Sequence, residues 1–217
     1  MKQIETNGDT VKKMEKIRMI FASGNAGKIK EMDYLIKKNL SGIEIQLLGL
    51  KDIGFTDEIT ENGATFEENA EIKARAVYEK AGMICFAEDS GLCVDYLNGA
   101  PGIYSARYAG GAKRLLDELK NVPDPQRTAH FYCAIYCLTD KNTGFCVSGS
   151  CGGMIAREPS GENGFGYDPV FYYPPAKKTF AQLPAEQKNA VSHRAAAAKK
   201  FAGTIEGLRP KGEAASS

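Results

Sequence analysis

Hydrophobic positions along the chain change period several times, and each change marks an element. From Ile17 to Ala22 a short β-prone, apolar-rich run reads as a strand. Over 26–40 the period becomes helical, with Ile29, Met32, Leu35, Ile36 and Leu40 on one stripe. Residues 43–50, IEIQLLGL, predict a second strand, and an acidic loop follows at 52–63. The segment 65–82 predicts the clearest helix, with Phe66, Ala70, Ala74, Val77 and Ala81 on its inner face. Thr65 can cap it, Glu68 stands three residues on as in a capping box, and Gly82 ends it.

Further along, MICFA reads as a buried strand that runs into EDSG at 88–91, and LCVDYL as a further strand. A Gly/Pro-rich loop spans 98–111 and a short helix lies near 112–120. Two long β-prone runs, 128–139 and 144–157, are joined by TDKNTG as a hairpin turn. The stretch 161–174 reads as a glycine- and aromatic-rich loop, and 184–208 is helical by propensity. Strands and helices are mixed, β-α-β first and adjacent strands later, which predicts an α/β fold with a mixed sheet. With no repeat and no dividing linker, 14–209 is expected to be a single two-lobed domain. Residues 1–13 are expected to be a flexible extension, with Met14 a candidate second start, and 210–217 a flexible tail.

Composition narrows the partners. With 28 basic and 27 acidic residues the formal net charge is +1, so no global field draws the chain to nucleic acid or an anionic membrane. No apolar run approaches a membrane span, and the N-terminus lacks the apolar stretch of a signal peptide. The six cysteines form no CxxC, and His130 and His193 have no zinc spacing, so a reduced, cytoplasmic setting is expected.

Five stretches carry chemistry. Ser23-Gly24-Asn25-Ala26-Gly27-Lys28 joins a strand to a helix start, where backbone N–H groups and the helix dipole suit a phosphate. It is not a Walker A loop: Ala22 replaces the first glycine and Ile29 follows Lys28, and an ordinary tight turn with a surface lysine fits the residues as well. Glu88 and Asp89 end an apolar strand, where carboxylates hold Mg²⁺ or activate water, although Asp-Ser-Gly is also good turn chemistry. Asp57, Glu58 and Glu61 offer a further metal ligand or a solvated acidic face. GFGYDP, 164–169, supplies aromatic faces for a base and an aspartate for a ring N–H, or a turn with core aromatics. Lys188, Ser192, His193 and Arg194 cluster at a helix start, with Ser192 a possible cap; they suit a carbonyl or phosphate, or form an exposed basic helix end. Taken together, these stretches describe a Mg²⁺–nucleotide site.

The order SGNAGK, TFEENA, EDSGL, GAPGIYSARYAG, GFGYDPVF, SHR resembles the inosine triphosphate pyrophosphatase (Ham1-type) family from about Met19 to about Ala195. That resemblance implies an ITPase/Maf-like fold, two α/β lobes around a long mixed β-sheet with the active site in the cleft between them, as a homodimer. It implies Mg²⁺-dependent hydrolysis of ITP, dITP and XTP to the monophosphate and pyrophosphate, which keeps deaminated purines out of DNA and RNA. Carried over by position, Ser23, Gly24, Asn25, Ala26, Gly27 and Lys28 would hold the phosphates. Asp89 would be general base and metal ligand, and Ser90 would touch substrate. Phe165, Gly166, Tyr167 and Asp168 would bind the base, one ring stacking and Asp168 reading the ring edge. Lys188, His193 and Arg194 would complete the nucleoside pocket near the 6-oxo group. Two departures stand out: threonine at Thr60 where relatives often carry an acid, so that Glu61 or Glu58 must substitute as metal ligand, with Glu61 chosen; and Glu88-Asp89 where many relatives have Asp-Asp. A non-catalytic nucleotide- or RNA-binding module, and a pyrophosphatase for dTTP or modified pyrimidines, are the competing readings. The carboxylates and neutral charge oppose the first, GFGYDP and SHR the second.

Overall fold

A computed structural model describes residues 15–208 of the chain. The expected extension at 1–13, the second start at Met14 and the tail at 210–217 lie outside the described residues. The first apolar run forms β1 (Glu15–Phe21), followed by α1 (Ala26–Asn39) and β2 (Ile43–Leu48). Helix α2 (Phe66–Ala81) is bounded as its sequence demands. Thr65 Oγ1 accepts from the Glu68 N–H at 3.1 Å, Glu68 Oε2 accepts from the Ala64 N–H at 2.6 Å, and Gly82 closes the helix at φ +60°.

Strand β3 (Cys85–Val94) differs from the sequence expectation. EDSG is no turn: one strand runs unbroken from Cys85 in MICFA to Val94 in LCVDYL, and Asp95–Leu97, expected as strand, form a 3-10 turn instead. The local turn preference of Asp-Ser-Gly is outweighed by a ladder that pairs every residue from Cys85 to Val94 with β4 (Thr128–Leu138). Gly91 serves a close approach: a Cβ there would come within 2.5 Å of Ser105 Oγ and 3.0 Å of the Phe66 ring. After β3 come α3 (Gly111–Glu118), β4, and β5 (Gly144–Ile155) across the expected hairpin. Two short strands, β6 (Phe171–Tyr173) and β7 (Lys178–Thr179), lie where a loop and no strand were expected. The C-terminal helical stretch is two helices, α4 (Ala185–Val191) and α5 (His193–Gly207), because Ser192 takes extended backbone and its Oγ accepts from the Ala195 N–H at 3.1 Å.

The seven strands form one mixed sheet in the order β2-β1-β3-β4-β5-β6-β7, parallel at β2-β1-β3 and antiparallel beyond. Strands β3, β4 and β5 run through two cores. Their upper halves pack Phe86, Ile135 and Cys137 against α1 and α5 on one face, and Cys85, Ala87 and Leu138 against α2 on the other. Phe86 stacks on Phe21 at 4.7 Å and meets Phe201 of α5 at 4.8 Å. Their lower halves join Leu92, Phe131 and Ile155 to Leu115 of α3 and to Phe171 and Phe180. Glu88, Asp89 and Ser90 lie at the seam between these two lobes. All six cysteines are free thiols, and no helix among the described residues is long and apolar enough to cross a membrane.

Candidate active site

At the seam, strand alternation sends neighbouring side chains to opposite faces. On the α5 face, the Glu88 side chain is 1% exposed and meets the Arg194 guanidinium through both oxygens, at 2.7 and 2.8 Å. Lys28 Nζ reaches Glu88 Oε1 at 2.9 Å, and Arg194 Nη1 donates to Glu31 Oε2 at 2.8 Å. Burial alone would raise the Glu88 carboxyl, but Arg194 and Lys28 hold it well below the ordinary range. On the α2 face, Asp89 Oδ1 accepts from Lys73 Nζ at 3.0 Å, and Lys73 also donates to Glu61 Oε2 at 3.0 Å. Here burial prevails: the Asp89 carboxyl is pushed up, with Lys73 only partly opposing it.

The acidic loop is held to this face by Asn69, which is fully buried. Its Nδ2 approaches Asp89 Oδ2 at 3.4 Å and its Oδ1 accepts from the Gly63 N–H at 2.9 Å. Glu61 is thereby brought beside Asp89, whereas Glu58 is exposed and Asp57 pairs with Lys80 at 2.8 Å. A cation already sits between the Glu61 and Asp89 carboxylates in the form of the Lys73 ammonium, and hard oxygen ligands of this kind fit Mg²⁺. No cluster of three or more His, Cys, Asp or Glu suited to a metal occurs among the described residues, so the oxygen donors here are those of Glu61 and Asp89.

The SGNAGK turn starts α1. Asn25 Oδ1 accepts from the Lys28 N–H at 3.1 Å as its cap, and Ser23 Oγ accepts from the Asn25 N–H at 3.2 Å. The Ala22 N–H donates to the Phe86 carbonyl at 2.8 Å, which holds the turn beside β3. Asn25 and Lys28 line a cavity of about 170 Å³ together with Ser90, Phe165, Gly166, Tyr167, Asp168, Lys188, His193 and Arg194. Ser23, Gly24, Ala26 and Gly27 are outside that lining, and Gly27 faces a neighbouring groove between α1 and α4.

The two aromatic rings of GFGYDP differ in setting. Phe165 is 44% exposed between Gly164 at φ +77° and Gly166 at φ +63°. Tyr167 is 7% exposed, and its hydroxyl donates to the Ser105 carbonyl at 3.0 Å. Phe165 is thus the ring with a free face. Asp168 Oδ2 accepts from the Phe165 N–H at 2.8 Å and from Lys188 Nζ at 2.6 Å, and Lys188 lies 4.8 Å from the Phe165 ring centre. His193 stacks on Phe131 at 4.7 Å, and burial first, then Arg194, holds it neutral, well below its ordinary range. Of the two readings of the Lys188–Arg194 cluster, the exposed basic helix end is overturned: Lys188, Ser192, His193 and Arg194 are all buried.

Sequence reasoning missed Lys73, Asn69 and Glu31. Asn69 and Lys73 were legible: spaced i, i+4, they border the apolar stripe Ala70, Ala74, Val77, where polar side chains need partners. Glu31 gave no such signal, since its partner Arg194 is far away in sequence.

The Ham1 family model matches residues 19–204. A dITP/XTP pyrophosphatase of Clostridium perfringens is 44% identical over 204 residues, covering 88% of this chain and 98% of that protein. Among solved structures, a HAM1 protein from Coxiella burnetii superposes with a TM-score of 0.80 at 37% identity, covering 88% of this chain and 100% of that one. The Staphylococcus aureus Ham1 protein does so with a TM-score of 0.78 at 38% identity, with 88% and 100% covered.

Proposed function

The chain belongs to the Ham1 family, and from that membership we propose that it hydrolyses dITP, ITP and XTP to the nucleoside monophosphate and pyrophosphate. The observation that carries the reading is a single cavity lined by Phe165, Lys188 and Arg194 at one end and by Lys28 and Ser90 at the other, with Asp89 outside that lining on the opposite face of the same strand. Phe165 offers a face for the base. Lys188 and Arg194 bring donors, which suit the 6-oxo acceptor of hypoxanthine or xanthine and oppose the 6-amino group of adenine. Lys28 and the start of α1 take the phosphates.

In the reaction, the oxygen of water bonds to the α-phosphorus as the α–β anhydride bond breaks and pyrophosphate leaves. Asp89 orients that water and takes its proton; a carboxyl raised by burial is the better base for it. Glu61 and Asp89 would hold Mg²⁺, which when bound neutralises charge on the triphosphate. We extend the family expectation to a homodimer acting on free nucleotides in the cytoplasm, and light scattering of the purified chain tests the dimer.

The decisive assay is Mg²⁺-supported pyrophosphate release from ITP, dITP, XTP, GTP, ATP and dTTP in parallel, with Asp89→Asn as control. Release confined to the first three and lost in the variant is the expected result. No release from any nucleotide would reject the enzyme reading in favour of a binding module.

A further inference from the structure

Glu88 Oε1 is crowded. It receives Arg194 Nη2 at 2.8 Å, Lys28 Nζ at 2.9 Å and Ser90 Oγ at 3.3 Å, while Oε2 takes Arg194 Nε at 2.7 Å. A carboxylate oxygen has about two lone-pair sites, so three donors compete for Oε1. The three are not equally bound to the spot. Arg194 has a side chain 1% exposed and is held from behind by Glu31 Oε2 at 2.8 Å, whereas the Lys28 side chain is 22% exposed and lies in the anion cradle. Lys28 is therefore the donor that an incoming phosphate removes. Its departure leaves Oε1 to Arg194 Nη2 and Ser90.

We propose that Glu88 is a positioning residue that couples the two ends of the cleft: phosphate binding at Lys28 frees Oε1 to fix Arg194, and so strengthens recognition of the base. The inference rests on the functional reading above and adds a role for the acid beside Asp89. A single buried carboxylate serves a phosphate-side cation and a base-side cation at once. Base and phosphates are then bound cooperatively, and a nucleoside alone meets a less ordered Arg194. Linkage is reciprocal, so the base must raise phosphate affinity by the same factor.

The test is equilibrium binding of inosine and of inorganic tripolyphosphate to the full chain, each alone and each with the other saturating, alongside pyrophosphate release from ITP. In the unaltered chain, tripolyphosphate should tighten inosine about fivefold, and inosine should tighten tripolyphosphate equally. In Glu88→Gln, which keeps the shape and loses the charge, the factor should fall to about one; Glu88→Asp should restore part of it. Should Glu88→Gln fail to fold, Lys28→Met serves instead. There Oε1 already holds only Arg194 and Ser90, and the coupling should vanish from the phosphate side. A full factor retained in folded Glu88→Gln or in Lys28→Met overturns the coupling, while ITP hydrolysis by the unaltered chain leaves the functional reading intact. A chain that neither binds inosine nor hydrolyses ITP overturns both.

Discussion

Glu88 and Asp89 are consecutive in the chain and face opposite sides of one strand, Glu88 against Arg194 at 2.7 Å and Asp89 against Lys73 at 3.0 Å. What looks in sequence like one acidic pair is two environments with opposite electrostatics. Two cations keep Glu88 ionised, whereas burial pushes Asp89 toward its protonated form. The division separates roles as well: Glu88 organises cations, and Asp89 is the carboxylate able to accept a proton.

The Asp89 environment predicts an acid limb in the pH profile of kcat/KM. Protonation removes the base, so the rate falls as pH drops through a value above that of an ordinary aspartate. Lys73 favours the ionised form, and Lys73→Met should therefore move the limb to higher pH. A limb that stays put or moves down would dissociate Lys73 from Asp89.

Metal dependence is expected to pass through Glu61. Chelation should abolish turnover and Mg²⁺ should restore it. Glu61→Gln should need at least about tenfold more Mg²⁺ for half-maximal rate, the lower end of the loss seen when even outer partners of a metal are removed. The same titration on Glu58→Gln should match the unaltered chain, because Glu58 is exposed away from the Lys73 bridge.

The two aromatic residues of GFGYDP should separate binding from stability. Phe165→Ala loses a stacking face worth about 1–3 kcal/mol, seen as a higher KM with an unchanged melting temperature. Tyr167→Phe loses the hydrogen bond to the Ser105 carbonyl, worth about 1 kcal/mol, and should melt earlier with KM nearly unchanged. Reversed effects would place the base on Tyr167.

His193 predicts a loss of stability with acid. The folded chain keeps it neutral, and its Nδ1 has no hydrogen-bond partner among the described residues, while the unfolded chain takes a proton near the ordinary 6.5. The unfolded state binds more protons below that value, so stability declines by up to about 1.4 kcal/mol for each pH unit below it until the folded histidine also titrates. Thermal melts between pH 7 and pH 5 should show this slope, and His193→Gln should flatten it. An equal slope in the variant would assign the acid sensitivity to other groups.

Legibility from sequence followed the range of the forces involved. Helix α2 was readable to its ends because Thr65, Glu68 and Gly82 act within a turn of their own backbone. Strand β3 was misjudged at EDSG because a local turn preference is visible in sequence and a ladder to β4 some forty residues on is not. Still longer separations hid the partners of Arg194: Glu31 and Glu88 come from α1 and β3, so the residues alone left a carbonyl or phosphate site and an exposed basic helix end as open alternatives. Phe165 and Tyr167 could not be ranked, since one glycine-rich stretch exposes the first and buries the second.

The passage of β3 unbroken through both cores bears on how the cleft moves. Lobes joined by a linker part by bending it; lobes that share β3, β4 and β5 part only by twisting a common sheet, which spreads a small rotation over many backbone bonds. Asp89 and Ser90 ride on that sheet as a fixed datum. The turn that carries Phe165 stands apart from that sheet, between Gly164 and Gly166 at positive φ, so its backbone can change conformation without disturbing the strand that bears Asp89 and Ser90.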